Sequence, residues 1–184
     1  MEKIDHFIYI NLEKRSDRKE LMEQEFEKLG IPPEKRTRFP AIYNPLNGLG
    51  CMKSHIEALK LARANNYKNI WIFEDDFTFT VSPKELQESL RQLFFKTPKA
   101  DVALASYIHK QAPFPPLHIS IFPNLYRVVE SQTASSYIVF QHYYDKLIDL
   151  FEDAYIQLEL TGEHWRYAND QVWKLLQVRD VWYC

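Results

Sequence analysis

Four apolar residues, Ile70-Trp71-Ile72-Phe73, run directly into three consecutive acids, Glu74-Asp75-Asp76, and no other stretch of this chain restricts its fold as tightly. A short unbroken apolar run suits a strand buried on both faces, as at the centre of a mostly parallel sheet covered by helices. The acids then stand at the carboxyl end of that strand, the edge at which open α/β sheets bind ligands. Adjacent carboxylates repel one another unless a cation or hydrogen-bond donors neutralise them. Mg²⁺ or Mn²⁺ takes one or two carboxylates together with the phosphates of a substrate, so the run reads as a metal-diphosphate site. A solvated acidic turn after a strand is the plain alternative.

At 184 residues the chain has the length of one domain with one sizeable core. Its 46% hydrophobic and 15% aromatic content is that of a globular protein. The formal net charge of −2 offers no basic footprint, so nucleic acid is not an expected partner. Two cysteines, Cys51 and Cys184, make no disulfide framework and read as free thiols in a reducing compartment. No apolar stretch approaches the roughly 18 residues of a membrane span, and Met1 to Asp5 lacks the pattern of a signal peptide. The expectation is a soluble, cytoplasmic protein without a transmembrane segment. Because the sequence stops at Cys184 inside an aromatic-apolar run, a natural C-terminal segment is expected to follow it.

Strands and helices alternate along the chain. His6 to Leu12 reads as a buried first strand. Ser16 or Asp17 then caps a helix with Leu21, Met22, Phe26 and Leu29 inward, ended by Gly30 and Pro32-Pro33. Phe39 to Gly50, with Pro40, Pro45 and Asn47-Gly48, reads as an irregular loop. A second helix runs from about Cys51 to Asn66 and delivers the chain to the acidic strand. Ser82-Pro83 opens a third helix with Leu86, Leu90, Leu93 and Phe94 inward. Asp101 to Ser106 is another buried strand. The proline-rich Pro113 to Pro116 is a loop, and Leu117 to Phe122, Tyr126 to Glu130 and Ser135 to Phe140 are three more strands. A helix follows from Tyr143 to Leu158, then a short one capped by Asp170, then a last strand from Val178 to Tyr183. The sum is an α/β fold with a mostly parallel central sheet, helices on both faces and antiparallel strands added in the second half. Gly48-Leu49-Gly50 is too short for a dinucleotide fingerprint or a P-loop, which argues against a dehydrogenase or an ATPase.

Three blocks together carry a family resemblance: Tyr9-Ile-Asn-Leu12 with Arg15, Asp17 and Arg18; Gly50-Cys51-x-x-Ser54-His55; and Phe73-Glu-Asp-Asp76. In them the chain resembles the family 25 glycosyltransferases, which include lipopolysaccharide-biosynthesis galactosyltransferases and the related domains of procollagen galactosyltransferases. Thr133-Ala-Ser-Ser-Tyr137-Ile-Val and Asp170 extend the likeness over the whole chain. The resemblance implies a single GT-A-like domain over residues 1–184, a nucleotide-sugar donor, commonly UDP-galactose, a divalent cation and inversion at the anomeric carbon.

Glycosyl transfer from a nucleoside diphosphate needs the leaving diphosphate neutralised, and a metal bridging both phosphates does this as a Lewis acid. Asp76 is the first candidate ligand, with Glu74 and Asp75 beside it. Alternation along an extended strand sends Glu74 and Asp76 to one side and Asp75 to the other. Inversion in one displacement requires a base on the acceptor hydroxyl. Asp170 is the candidate, with helix capping as its structural alternative; Glu163 and Asp153 suit the role less well.

Asn11, Arg15 and Arg18 stand just past the first strand, where a base and ribose would lie, although Arg18 also suits an exposed helix face. Ser54 and His55 are placed in the first turn of the second helix, whose backbone dipoles favour an anion. His55 has a competing role as a packed, hydrogen-bonded core histidine. Cys51 reads as packing, and Trp71, Phe73, Phe77 and Phe79 as core rather than stacking platforms. Tyr107, His109 and Gln111 to Pro116 border the acceptor side and name no acceptor.

The reading is therefore a Mn²⁺- or Mg²⁺-dependent inverting hexosyltransferase acting from a UDP-hexose onto a carbohydrate or glycosylated acceptor. A non-catalytic nucleotide-sugar or glycan-binding module of the same fold is the alternative. A nucleotidyltransferase is a third class, disfavoured by the missing glycine- and lysine-rich phosphate loop.

Overall fold

The computed structural model describes residues 1–46, 48–97, 99–106, 119–122 and 125–184, with backbone alone at 119–122. Every residue of the first strand, β1 (His6–Asn11), is buried. A half turn through Arg15 leads into α1 (Ser16–Lys28). Neither Ser16 nor Asp17 caps this helix, contrary to expectation. Arg15 holds the cap position without a side-chain cap bond, because the Asp17 carboxylate is spent on a two-pronged ion pair with the Arg15 guanidinium. Met22 and Phe26 point inward with Glu25, whereas Leu21 is 56% exposed. Leu21 lies about 100° around the helix from Met22, off the stripe the core accepts. Gly30 ends the segment at φ +65°.

A single 3₁₀ turn, Pro33–Lys35, leads to β2 (Arg36–Pro40), which pairs in parallel with β1 from Phe7↔Arg36 to Asn11↔Pro40. This strand carries no apolar run, and its Arg-Thr-Arg stretch shows why pattern reading assigns no strand here and begins its loop at Phe39. After Gly48, in the left-handed region at φ +83°, α2 (Leu49–Ala64) begins two residues earlier than expected. It leads to β3 (Asn69–Glu74), the acidic strand, parallel to β1. The third helix, α3 (Pro83–Lys96), opens as anticipated: the Ser82 side chain accepts from the Glu85 N–H while the Glu85 carboxylate accepts from the Ser82 N–H.

The second half supplies β4 (Val102–Leu104), β5 (Ile119–Phe122), β6 (Leu125–Arg127) and β7 (Ser136–Phe140), followed by a 3₁₀ turn, Gln141–Tyr143, and α4 (Tyr144–Thr161). Three one-turn helices, α5 (His164–Tyr167), α6 (Asn169–Val172) and α7 (Lys174–Gln177), precede β8 (Trp182–Tyr183). Val178, expected in this last strand, is 67% exposed. The sheet has eight strands in the order β2-β1-β3-β7-β4-β8-β6-β5. Its first three strands form a parallel core. β7 is inserted antiparallel between β3 and β4, β4 and β8 are parallel, and β6 runs antiparallel to β5 and β8. This is the expected α/β fold with antiparallel strands added by the second half. Pro113 to Pro116 lie outside the described residues.

Both central strands are sandwiched, and their alternation sorts the core by residue type. Ile8, Ile10, Ile70 and Ile72 face α2 and α4, joining Met52, Leu59, Leu147 and Phe151. Phe7, Tyr9, Trp71 and Phe73 face α1 and α3, joining Met22, Phe26, Leu86 and Leu90. Branched aliphatics therefore fill one side and aromatics the other. Phe26 meets the rings of Phe7, Tyr9 and Phe73 at centroid separations of 5.4 to 6.2 Å, and Phe77 and Phe79 pack on the same cluster, as core rather than as ligand platforms. Among the described residues no helix is long and apolar enough to cross a membrane.

Phe26→Ala should therefore destabilise the protein by about 3–5 kcal/mol in denaturant unfolding. Leu21→Ala, removed from the core, should stay within about 0.5 kcal/mol of the parent. Equal losses from both substitutions would contradict this assignment of the α1 faces.

Candidate functional site

A cleft of about 510 Å³ opens at the carboxyl ends of β1 and β3. Its walls are the ends of these strands with Arg15 and Arg18, the segment from Ala41 to Leu46, the start of α2 and the three acids. The same pleat that sorts the core sorts the acids. Glu74 continues the side of Ile70 and Ile72 and points at α2; Asp75 continues the side of Trp71 and Phe73 and points at α1.

On the α2 side, the Glu74 Oε1 lies 3.4 Å from the His55 Nε2 and 3.4 Å from the Cys51 Sγ. The other ring nitrogen of His55, Nδ1, is 2.8 Å from the Tyr137 hydroxyl, and the two rings stack with centroids 5.6 Å apart. His55 and Tyr137 are fully buried, while Glu74 keeps 33% of its side-chain surface open. Burial disfavours the Glu74 carboxylate, but the hydrogen bonds from His55 and Cys51 and the charge of Arg18 outweigh it and hold the group below its ordinary value. Cys51 faces the cleft with accessible surface, yet protein surrounds it on its other sides. That desolvation, with the Glu74 carboxylate adjacent, pushes its thiol well above the ordinary range, opposite to the lowering that a helix start alone would give. Cys51 is therefore a cleft residue rather than packing.

On the α1 side, Asp75 is almost completely buried. It accepts from the Asn11 side-chain amide at 2.7 Å and from Arg18 at 2.9 Å. Arg18 also reaches the Asp76 carboxylate at 3.1 Å. The strand ends at Glu74, and a turn bonded from the Phe77 N–H to the Glu74 carbonyl carries Asp76 out of the alternation. Asp76 consequently stands with Asp75 around Arg18 instead of beside Glu74, where strict alternation would put it. Its side chain is 52% exposed.

Several expected ligand residues have their polar atoms committed inside the protein. Asn11 is 1% exposed: its amide nitrogen donates to the Arg15 carbonyl and to Asp75, and its oxygen accepts from Arg38 at 2.8 Å. It is a bracket between β1, β2 and β3 rather than a nucleotide contact. Ser54 and His55 lie in the second turn of α2, not the first. The Ser54 hydroxyl donates to the Gly50 carbonyl at 2.7 Å and accepts from the Ile42 N–H at 2.8 Å, so it pins the wall of the cleft that it lines. His55 takes the packed, hydrogen-bonded role. From this helix and the residue before it, Gly48, Gly50 and Cys51 line the cleft together with Ser54 and His55. Arg15 lines it as well, with 39% of its side chain exposed and Asp17 as ion-pair partner.

Asp170 is not a helix cap: Ala168 holds that position before α6. Its Oδ2 accepts the N–H of Thr133 at 3.1 Å, where the backbone takes φ +83°. Asp170 stands outside the cavity lining but within electrostatic range of Cys51, whose thiol its charge helps to raise. Asp153 lies exposed on α4, and Glu163 pairs loosely with Arg166. Tyr107, His109 and Gln111 to Pro116 lie outside the described residues. Arg38, which ties Asn11 to Glu13, escapes sequence reasoning altogether, and Tyr137 enters it only within the resemblance block, without its role as the partner of His55. An arginine in an edge strand and a tyrosine in a buried strand announce no chemistry until the sheet order places them.

No protein-family model matches this chain, and no curated protein matches it in sequence. Among solved structures it is similar to a mannose-1-phosphate geranyltransferase from Thermus thermophilus, with a TM-score of 0.53 and 10% identity, over 98% of this chain and 73% of the other. At that identity the likeness is one of fold, and it agrees with the α/β architecture read from the sequence.

The cleft wall depends on one absent side chain. A Cβ at Gly50 would stand 2.4 Å from the Ile42 carbonyl oxygen and 2.9 Å from the Asn44 nitrogen, both of them backbone. Gly50→Ala should displace residues 41 to 46, costing roughly 1–3 kcal/mol and accelerating hydrogen exchange there while the amides of β1 and β3 keep their protection. Unchanged exchange in the 41–46 segment would show that it tolerates the added methyl.

Proposed function

We propose that this chain is a metal-dependent inverting glycosyltransferase that moves a hexose from a UDP-sugar to a glycan or glycosylated acceptor, with galactose as the hexose on the motif resemblance. The observation that carries this reading is the convergence of an acidic strand end, two arginines and the start of a long helix on one cleft at the carboxyl edge of parallel strands. Such an edge is where α/β sheets take nucleotides. The start of α2 has no side-chain cap and no acid in its first turn, so its positive end is available to an anion. The fold is shared with a protein whose name includes a sugar phosphate, mannose-1-phosphate.

The residues present suit a hard divalent cation. Mg²⁺ or Mn²⁺ in such sites needs one or two carboxylates, substrate phosphates and water, and Asp76 offers an exposed carboxylate on the cleft, whereas Glu74, turned toward α2, does not stand beside it. When bound, the cation neutralises the departing diphosphate as a Lewis acid. The chain's own groups do the rest. Arg15 and Arg18 flank the phosphates, the 41–46 segment closes one side against water, and Asp75 with Asn11 fixes Arg18 in place. Asp170, anchored by the Thr133 N–H, is the group proposed to take the proton from the acceptor hydroxyl as the glycosidic bond to the diphosphate breaks.

A second reading is a non-catalytic nucleotide-sugar or glycan-binding module. The guanidinium of Arg18, paired with both Asp75 and Asp76, favours it, since it offsets part of their charge without a metal.

UDP-sugar should raise the melting temperature in the presence of Mn²⁺ or Mg²⁺ and not in excess chelator, because diphosphate and carboxylates otherwise repel. Asp76→Asn should abolish that dependence while unfolding stays cooperative. Equal stabilisation with and without metal would reject the bridge. Asp170→Asn keeps an oxygen for the Thr133 N–H but removes the base, so transfer should fall by roughly 10²–10⁴ with donor binding intact. A fully active Asn variant would end the base assignment, and donor binding with no transfer by the parent protein across acceptors would favour the binding module.

A further inference from the structure

The group formed by Cys51, His55 and Glu74 has a chemistry that a hard-cation diphosphate site does not call for. Its three donor atoms, Sγ, a ring nitrogen and a carboxylate oxygen, all lie within 4.8 Å of one another. Cys51 and His55 are four residues apart on α2, the spacing that puts two side chains on one face of a helix, and Glu74 comes from the end of the neighbouring β3. We infer that these three residues form a binding site for a thiophilic divalent cation, Zn²⁺ or its spectroscopic substitute Co²⁺, with the remaining coordination position open to the cleft.

Metal-ligand lengths of about 2.0–2.3 Å at tetrahedral angles place donor atoms roughly 3.3–3.6 Å apart. The Glu74 Oε1 is 3.4 Å from both the Cys51 Sγ and the His55 Nε2, so two edges of the tetrahedron are already set. Thiolate with imidazole selects zinc-like ions over Mg²⁺ and Mn²⁺, which prefer oxygen alone. A zinc-bound histidine usually has its other ring nitrogen held by a hydrogen bond that fixes its tautomer, and the Tyr137 hydroxyl stands 2.8 Å from Nδ1 inside the buried sheet. Three protein ligands with an open fourth position is the arrangement of a reactive or exchangeable zinc site rather than a closed structural one. Cys51 and Glu74 both reach the cleft, which gives the ion its entry. On binding, the S–H bond of Cys51 breaks, its proton leaves to solvent, and the sulfur keeps the electron pair that it donates to the metal.

The site requires no donor nucleotide, so it stands or falls apart from the transfer reaction. The full chain, stripped with chelator and dialysed, is titrated with Co²⁺ alone and then with Zn²⁺. The expected result is a near-ultraviolet thiolate-to-cobalt charge-transfer band that saturates at one ion per chain and is bleached by one equivalent of Zn²⁺. Cys51→Ser, at a position with accessible surface, should lose the band while keeping the circular dichroism of the parent. Cys184→Ser should retain it. Tyr137→Phe should keep the band but weaken Co²⁺ affinity by about 10–100-fold, the usual effect of losing the group that orients a histidine ligand. Absence of the band at stoichiometric Co²⁺, its survival in Cys51→Ser or its loss in Cys184→Ser would each overturn the inference and leave the three residues as a metal-free hydrogen-bonded group.

Discussion

The two-residue period of β1 and β3 is the constraint on which both the core and the cleft depend. With helices on both faces, each strand must bury every side chain, and the pleat delivers alternate residues to opposite helices. Isoleucines go to α2 and α4, aromatics to α1 and α3. A slip of one residue in β3 would exchange these two sets and drive Trp71 into a space shaped for isoleucine, so the register is heavily over-determined. Because the acids continue the strand without interruption, that same register decides which helix each of Glu74 and Asp75 meets. The polar chemistry at the strand end is thus fixed by apolar packing several residues earlier.

Within the cleft, Arg18 offsets part of the charge of the acids. Asp75 is buried but accepts from both Asn11 and Arg18, so its buried oxygens have partners within the protein. Asn11 uses both ends of its amide, linking the Arg15 turn, the acidic turn and Arg38 of β2. This places the residues just beyond three neighbouring parallel strands in one rigid bracket. Functional side chains held by such a second layer keep their geometry better than side chains on free loops.

The apolar run before the acids, the Ser82-Pro83 helix start and the periodic stretch of α4 are all legible in the sequence, because in each case a local signal and the tertiary outcome coincide. Leu21 is misread because one apolar residue at the border of a helical stripe gives no indication of where the stripe ends. β2 is missed because its burial comes from a neighbour and not from its own composition. The site is legible by block and not by role. Asn11, Ser54 and His55 all sit beside the cleft, but their hydrogen-bond partners, Arg38, Ile42 and Tyr137, are 12 to 82 positions away in sequence, and only the folded sheet shows that their polar atoms are already used. Asp170 looks like a helix cap because the two-residue offset that puts Ala168 at the cap position is within the uncertainty with which helix ends can be read.

β2 is the outermost strand on its side of the sheet, and an uncovered strand is an open template on which a second chain can add its own backbone. Here the strand holds Arg36 and Arg38, both paired within the chain to Glu23 and Glu13, and it ends in Pro40, which has no N–H to offer a partner. Extended polymerisation through this border would have to bring like guanidinium charges together and accept a missing rung. Strand addition at this border would thus meet charged side chains and one missing rung, features that blunt an exposed edge.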